Sequence, residues 1–172
     1  MHNSFATTVF AAAVSLSFGA NGAERQVVGY IEEVRIYPGD LHLMAKIDSG
    51  AKTSSIDVRD QVEFEREGGK WVRFRINIMA KADKTIKSVI IERPVLRKTR
   101  IRRAETEKQE RYVINLGICL GGYFKKAEVN LNDRTGMNYR LLLGRLFLND
   151  HFLIDTSKKN LTKPNCPEAP GR

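Results

Sequence analysis

The chain has 172 residues, a formal net charge of +9 and 42% hydrophobic residues, an ordinary globular composition apart from its charge. This length suits one domain with a real core and leaves too little for a two-domain enzyme. The basic balance concentrates anionic partners, whether nucleic acid, acidic peptide, anionic lipid or cell-wall polymer, without choosing among them.

In chain order, Phe5 to Phe18 form an apolar run of small residues, long enough for the core of an export signal and too short to span a bilayer. Small residues follow at Gly19, Ala20, Gly22 and Ala23, and the first charges are Glu24 and Arg25. Residues 1–23 are therefore expected to be a secretory signal cleaved near Gly22 or Ala23, which implies a periplasmic or secreted protein. The start carries His2 but no Lys or Arg, and membrane association is expected only if the signal stays uncleaved.

Beyond it, Gln26–Ile36 has the β-branched content of a strand, Tyr37-Pro38-Gly39-Asp40 reads as a turn, and Leu41–Ile47 reads as a second strand running into Asp48. Ile56–Arg66 and Trp71–Met79 predict a hairpin around Glu67-Gly68-Gly69-Lys70. Val72, Phe74, Ile76 and Ile78 share one face of the second of these, which is the period of a half-buried strand. Ser88–Ile91, Arg111–Leu116, Tyr123–Leu131 and Tyr139–Leu143 predict further strands, Gly144–His151 a short helix, and Phe152–Asp155 a last strand. Many short strands with frequent turns indicate an all-β sandwich or barrel with little helix. The domain is expected over residues 24–157, with 158–172, poor in apolar residues and containing three prolines, as a disordered polar tail.

Two features remain open at this level. Basic residues dominate Arg93 to Arg111, which reads either as a solvated loop or hairpin or as an electropositive arm for an anionic polymer. Cys119 and Cys166 either pair, in an oxidising compartment, or stand as a buried thiol and a loose tail thiol.

The chemistry centres on Asp48-Ser49-Gly50-Ala51, which ends an apolar run, and on the later Leu141-Leu142-Leu143-Gly144-Arg145. Together they resemble the two-part signature of retropepsin-type aspartic proteases. The likeness extends through Lys46–Ser55, Trp71–Phe74, Glu110–Ile114, Met137 and Leu141–Arg145 to a bacterial retropepsin-like family, some of whose members are associated with ribosomal-protein glutamylation systems. The resemblance covers roughly Val28 to Asp155. It implies a closed β-barrel or sandwich protomer, a homodimer whose two Asp48 carboxylates meet at the interface, and an endopeptidase acting on a peptide or protein.

On this resemblance Asp48 is the catalytic carboxylate. Ser49 offers a hydroxyl across the active-site base, Gly50 permits close backbone approach, and Ala51 leaves room for a substrate main chain. Leu142, Leu143 and Gly144 support the loop from below. Two carboxylates in contact share one proton, so that one serves as base and the other as acid. Lys52 stands where retroviral enzymes have an acidic partner for the motif arginine. Lys52 and Arg145 therefore either line a positive cleft favouring acidic peptides, or sit respectively solvated at the rim and bonded to main-chain carbonyls. Ile154-Asp155-Thr156-Ser157 looks like a second triplet but has Ser157 in the glycine place, so it is read as a strand end.

The family has also carried the label of ATP-dependent zinc protease. The chain has no Gly-x-x-x-x-Gly-Lys-Ser/Thr loop and no His-Glu-x-x-His pair, and His42 and His151 read as ordinary surface or interface residues. No cofactor and no metal are expected. The competing function is a non-catalytic binding module on the same fold, holding an anionic polymer or a protein partner. A nucleic-acid-binding barrel is favoured by charge alone, without a stacked-aromatic motif on paired strands.

Overall fold

Alternating apolar residues build twelve strands and one short helix among the described residues. A computed structural model describes residues 24–79, 85–102 and 108–170. The expected signal, residues 1–23, lies outside them, as do residues 103–107 of the basic segment. In chain order the elements are β1 (Gln26–Gly29), β2 (Ile31–Tyr37), β3 (Leu41–Ile47), β4 (Ser54–Asp57), β5 (Arg59–Arg66), β6 (Gly69–Met79), β7 (Ile86–Pro94), β8 (Arg97–Arg102), β9 (Lys108–Leu120), β10 (Tyr123–Asn132), β11 (Leu141–Leu143), α1 (Arg145–Leu148) and β12 (Phe152–Asp155). No helix among the described residues is long and apolar enough to cross a membrane.

Six strands close a barrel in the order β10-β4-β11-β3-β2-β9, with β9 pairing back to β10. The fold is all-β and retropepsin-like, as expected. Inward residues of successive strands, including Val34, Ala45, Ile56, Ile114, Leu131, Leu141 and Leu143, form one buried cluster. Outside the barrel, β5, β6 and β7 make a three-stranded sheet. Its Val72, Phe74, Ile76 and Ile91 join the same cluster, which realises the period read from Trp71–Met79. The β5–β6 turn needs positive φ at both Glu67 (52°) and Gly68 (73°), as tight two-residue hairpins do.

Two expected strands are each divided by topology. Gln26–Ile36 breaks at Tyr30 because β1 pairs in parallel with β12, whereas β2 pairs with β3 and β9. Ile56–Arg66 breaks at Val58 because β4 belongs to the barrel and β5 to the outer sheet. The basic segment becomes the end of β7, β8 and the start of β9, and much of its charge is paired. Arg97 meets Glu128 at 2.6 Å and Lys98 meets Glu63 at 2.9 Å.

The tail departs from expectation over residues 158–170, which cross the barrel as an ordered strap. Composition misled here because the strap is held by polar and covalent contacts rather than by apolar area. Glu32, fully buried, accepts hydrogen bonds from the Gly29, Leu161 and Thr162 amides and from the Thr162 hydroxyl, at 2.6 to 3.0 Å. The Tyr30 amide donates to the Lys158 carbonyl at 2.9 Å, and a side chain at Gly29 would strike that carbonyl at 2.5 Å. Further on, Asn165 N–H donates to Gly121 O, and Cys166 forms a disulfide with Cys119 across 47 residues of sequence. On the chain-entropy view, closing such a loop stabilises by about 4 kcal/mol.

Glu32→Gln replaces an acceptor oxygen with an NH2 group facing N–H donors. It should lower unfolding free energy by about 1–3 kcal/mol in urea titration and expose residues 158–165 to proteolysis while the disulfide still holds Cys166.

Candidate active site

Strand β11 sits between β3, its parallel neighbour, and β4, its antiparallel neighbour. The chain segment from Asp48 to Thr53 therefore has to pass over the end of β11 to connect β3 with β4. Its passage is held at both sides. Asp48 N–H donates to Leu143 O at 2.9 Å, while Arg145 and Leu146 N–H groups donate to Ala51 O and Lys52 O at 2.9 and 3.0 Å. Beneath the crossing lies Gly144, where a Cβ would come within 2.7 Å of the Thr53 backbone and 2.9 Å of Ala51 O. Its own N–H donates to Ser54 Oγ at 3.2 Å. Leu141 and Leu143 are fully buried below, and Leu142 is half-buried on the opposite face of β11.

All nine residues singled out by the sequence converge on this crossing, though not every one in its expected role. Close backbone approach occurs at Gly144 rather than Gly50, whose missing side chain leaves room beside Asp48 Oδ1, 3.2 Å from where a Cβ would stand. Arg145 takes the second of the two roles open to it, bonding main-chain carbonyls, since its Nη1 donates to Ser49 O at 2.7 Å and Gly50 O at 3.0 Å. Those two carbonyls project from a turn and find no strand partner, so the guanidinium supplies their donor. Lys52 is exposed at the rim of a hollow that it shares with Thr53, Arg97 and Asn130. Ser49 is exposed, and Ala51 is half-buried with its amide 3.3 Å from Asp48 O.

Asp48 itself is partly buried and accepts from Gly50 N–H at 3.0 Å through Oδ1. Its other oxygen faces the Lys46 ammonium at 3.1 Å. Burial pushes this carboxyl upward, but the Lys46 ammonium and the Gly50 and Ala51 amides outweigh it and hold it below its ordinary range. Lys46 was not singled out by the sequence. Its signal was present in the two-residue spacing, which puts alternate positions of an extended chain on one face.

A polar cluster behind the crossing was also missed. Asp57, buried, accepts from Arg134 N–H and Arg59 Nη1 at 2.7 Å each and from Arg140 Nη1 at 2.8 Å. Arg134, itself buried, donates to Ser55 Oγ and Tyr139 O at 2.9 Å. Burial lowers the Arg134 guanidinium, and the charges of Asp57 and Asp48 partly offset this. Asp155 ends β12 and caps Ser157 N–H at 2.9 Å, which suits a strand end. His42 contacts Glu33 at 3.1 Å and His151 stacks on Tyr123. Among the described residues no group of three or more His, Cys, Asp or Glu is placed to hold a metal ion.

A closed barrel whose Asp-Ser-Gly loop straddles a Leu-Leu-Gly-Arg strand defines the retropepsin-like class. Within it, residues 27–165 match the RimB-like family, described as "Retropepsin-like aspartic endopeptidase RimB", and the chain belongs to that family. It is 37% identical over 116 residues to proteins of Shewanella halifaxensis and Shewanella pealeana, each named "Probable alpha-L-glutamate ligase". A protein of the same name from Desulfotalea psychrophila is 34% identical over 113 residues. These matches take in 66–67% of this chain, which spans only about a quarter of each relative's length. The fold is also similar to the crystal structure of a Legionella pneumophila protein of unknown function. That likeness has a TM-score of 0.67 and 28% identity, over 81% of this chain and all of the other.

Because the folded Asp48 carboxyl lies below its ordinary value, its ionisation stabilises the fold at pH above that ordinary value. The contribution is lost as pH falls through the lowered one. Lys46→Met should move the Asp48 midpoint upward in a carboxyl-carbon NMR titration and flatten this part of the stability–pH curve. An unmoved midpoint would mean that Lys46 does not set the carboxylate's charge state.

Proposed function

We propose that the protein is an aspartic endopeptidase that works as a homodimer, with Asp48 and the partner subunit's Asp48 forming the catalytic pair. The observation that carries this reading is the placement of a partly exposed Asp48 at the tip of a backbone crossing rigid enough to present it. One carboxylate takes a proton from water, and the resulting hydroxide attacks the peptide carbonyl carbon. The other donates its proton to the carbonyl oxygen. Collapse of the tetrahedral intermediate breaks the C–N bond as the amine takes up a proton. A single copy supplies one such carboxylate, so the reading requires an isologous two-fold contact. A secreted or periplasmic location belongs to the same proposal and rests on the apolar run at residues 5–18.

Acidic peptides are the proposed substrates. Lys46 stands beside Asp48, and Lys52, exposed four residues further along the same loop, lines a hollow with Arg97. The name of the ligase relatives points the same way. A peptidase-like domain in a protein named for joining glutamate suits a glutamyl-rich peptide. The alternative, a non-catalytic module, is distinguished by solution mass, because a strict monomer cannot assemble the pair.

Asp48→Asn should abolish peptide cleavage, by at least a thousandfold in kcat/KM, while the melting curve and dimer mass stay close to wild type. Cleavage persisting in the pure variant would exclude Asp48 as the catalytic acid. Lys52→Glu should weaken hydrolysis of acidic peptides about tenfold more than that of neutral ones, measured as the ratio of kcat/KM. An unchanged ratio would remove Lys52 from substrate selection.

A further inference from the structure

At the far end of β3 from Asp48, about 20 Å away at roughly 3.3 Å per strand residue, the barrel carries a second hollow. Its volume, about 560 Å³, is that of a small-molecule site. Gly117 forms part of its lining. A Cβ there would press within 2.9 Å of the Phe124 ring and 3.2 Å of Tyr37 Cβ, so the glycine lets the Phe124 ring lie low and leaves the hollow open. Tyr37 and Phe124 meet edge to face at 5.8 Å, and Leu96 and Pro170 also line the space. Pro170 belongs to the strap, which is fixed here by the Cys119–Cys166 disulfide packed with Tyr37 and Ala169.

The charges around this apolar space are uneven. Asp40 is neutralised by Arg35 at 2.5 Å. Arg93 and Lys126 also line the hollow, and neither has an ion-pair partner among the described residues. Neighbouring cations do find partners, as Arg66 does with Glu92 and Arg97 with Glu128. Moreover, Arg93 Nε is shielded from water and makes no hydrogen bond. That nitrogen lies too deep for a ligand to reach, but Arg93 and Lys126 bring to the hollow positive charge that no carboxylate among the described residues pairs with.

We propose that this hollow binds a small amphipathic carboxylate, its apolar body against Tyr37, Leu96, Phe124 and Pro170 and its carboxylate on Arg93 and Lys126. The site is independent of the peptidase reading, because it shares no residue with the Asp48 loop. Since one wall is the strap, binding depends on the intact disulfide.

The probe is decanoate, titrated calorimetrically into the oxidised full chain, with decanol and decylammonium as controls. Decanoate should bind once per chain and shift the Tyr37 and Phe124 ring resonances. Decanol should bind at least tenfold more weakly and decylammonium not at all. Arg93→Met with Lys126→Met should weaken decanoate tenfold or more and leave decanol unchanged. Leu96→Asp, at an exposed rim position, should weaken it as well, and reducing the disulfide should lower the affinity of the wild type. Asp48→Asn should bind decanoate like wild type, separating this site from the candidate active site. Equal affinity for decanoate and decanol, no effect of the double variant, or no saturable binding would each overturn the proposal.

Discussion

The pairing of a three-residue strand, Leu141–Leu143, with β3 on one side and β4 on the other is the constraint on which the candidate site depends. It obliges the Asp48–Thr53 segment to cross over the strand's end, and two backbones can pass there only because residue 144 has no side chain. Once crossed, the loop is fastened by main-chain hydrogen bonds from Asp48, Arg145 and Leu146 and by the Arg145 guanidinium on two loop carbonyls. The apolar side chains beneath matter for the same reason. Leu141 and Leu143, each worth about 2 kcal/mol when removed from water, hold β11 in place and with it the height and orientation of Asp48.

Charge is used differently by three of the carboxylates that are buried or partly buried among the described residues. Glu32 faces donors with no cation and ties the C-terminal strap to β1 and β2. Asp57 gathers Arg59 and Arg140 around one oxygen pair and accepts the Arg134 amide, which braces the turn leading to Tyr139. Of the three, Asp48 keeps one oxygen toward solvent-accessible space, where Lys46 reaches it. Buried carboxylates survive where their acceptor capacity is filled. The partly exposed one is left with an exchangeable partner, as the proposed proton-sharing pair requires.

Much of this was legible. Period-two alternation located the buried face of Trp71–Met79 because one side of that strand meets a core. The Asp48 and Gly144 motifs were readable because each needs particular residue types: a carboxylate followed by a small, permissive turn, and a glycine at a backbone crossing. The breaks at Tyr30 and Val58 were not readable, since local propensity continues through both and the change of pairing partner is a long-range event. Residues 158–170 misled because composition measures apolar content. A strap anchored by a distant glutamate and a disulfide needs little of it.

By itself, the sequence determined the all-β class and the two motifs, since these follow from local pattern and residue chemistry. Only the tertiary structure decided that Cys119 meets Cys166, that Lys46 covers Asp48, that Arg145 turns inward to the loop, and that Arg93 is left without an acceptor beside an apolar hollow. Each of these is a matter of which side chains come within a few ångströms after distant strands pair, and no local pattern carries that distance.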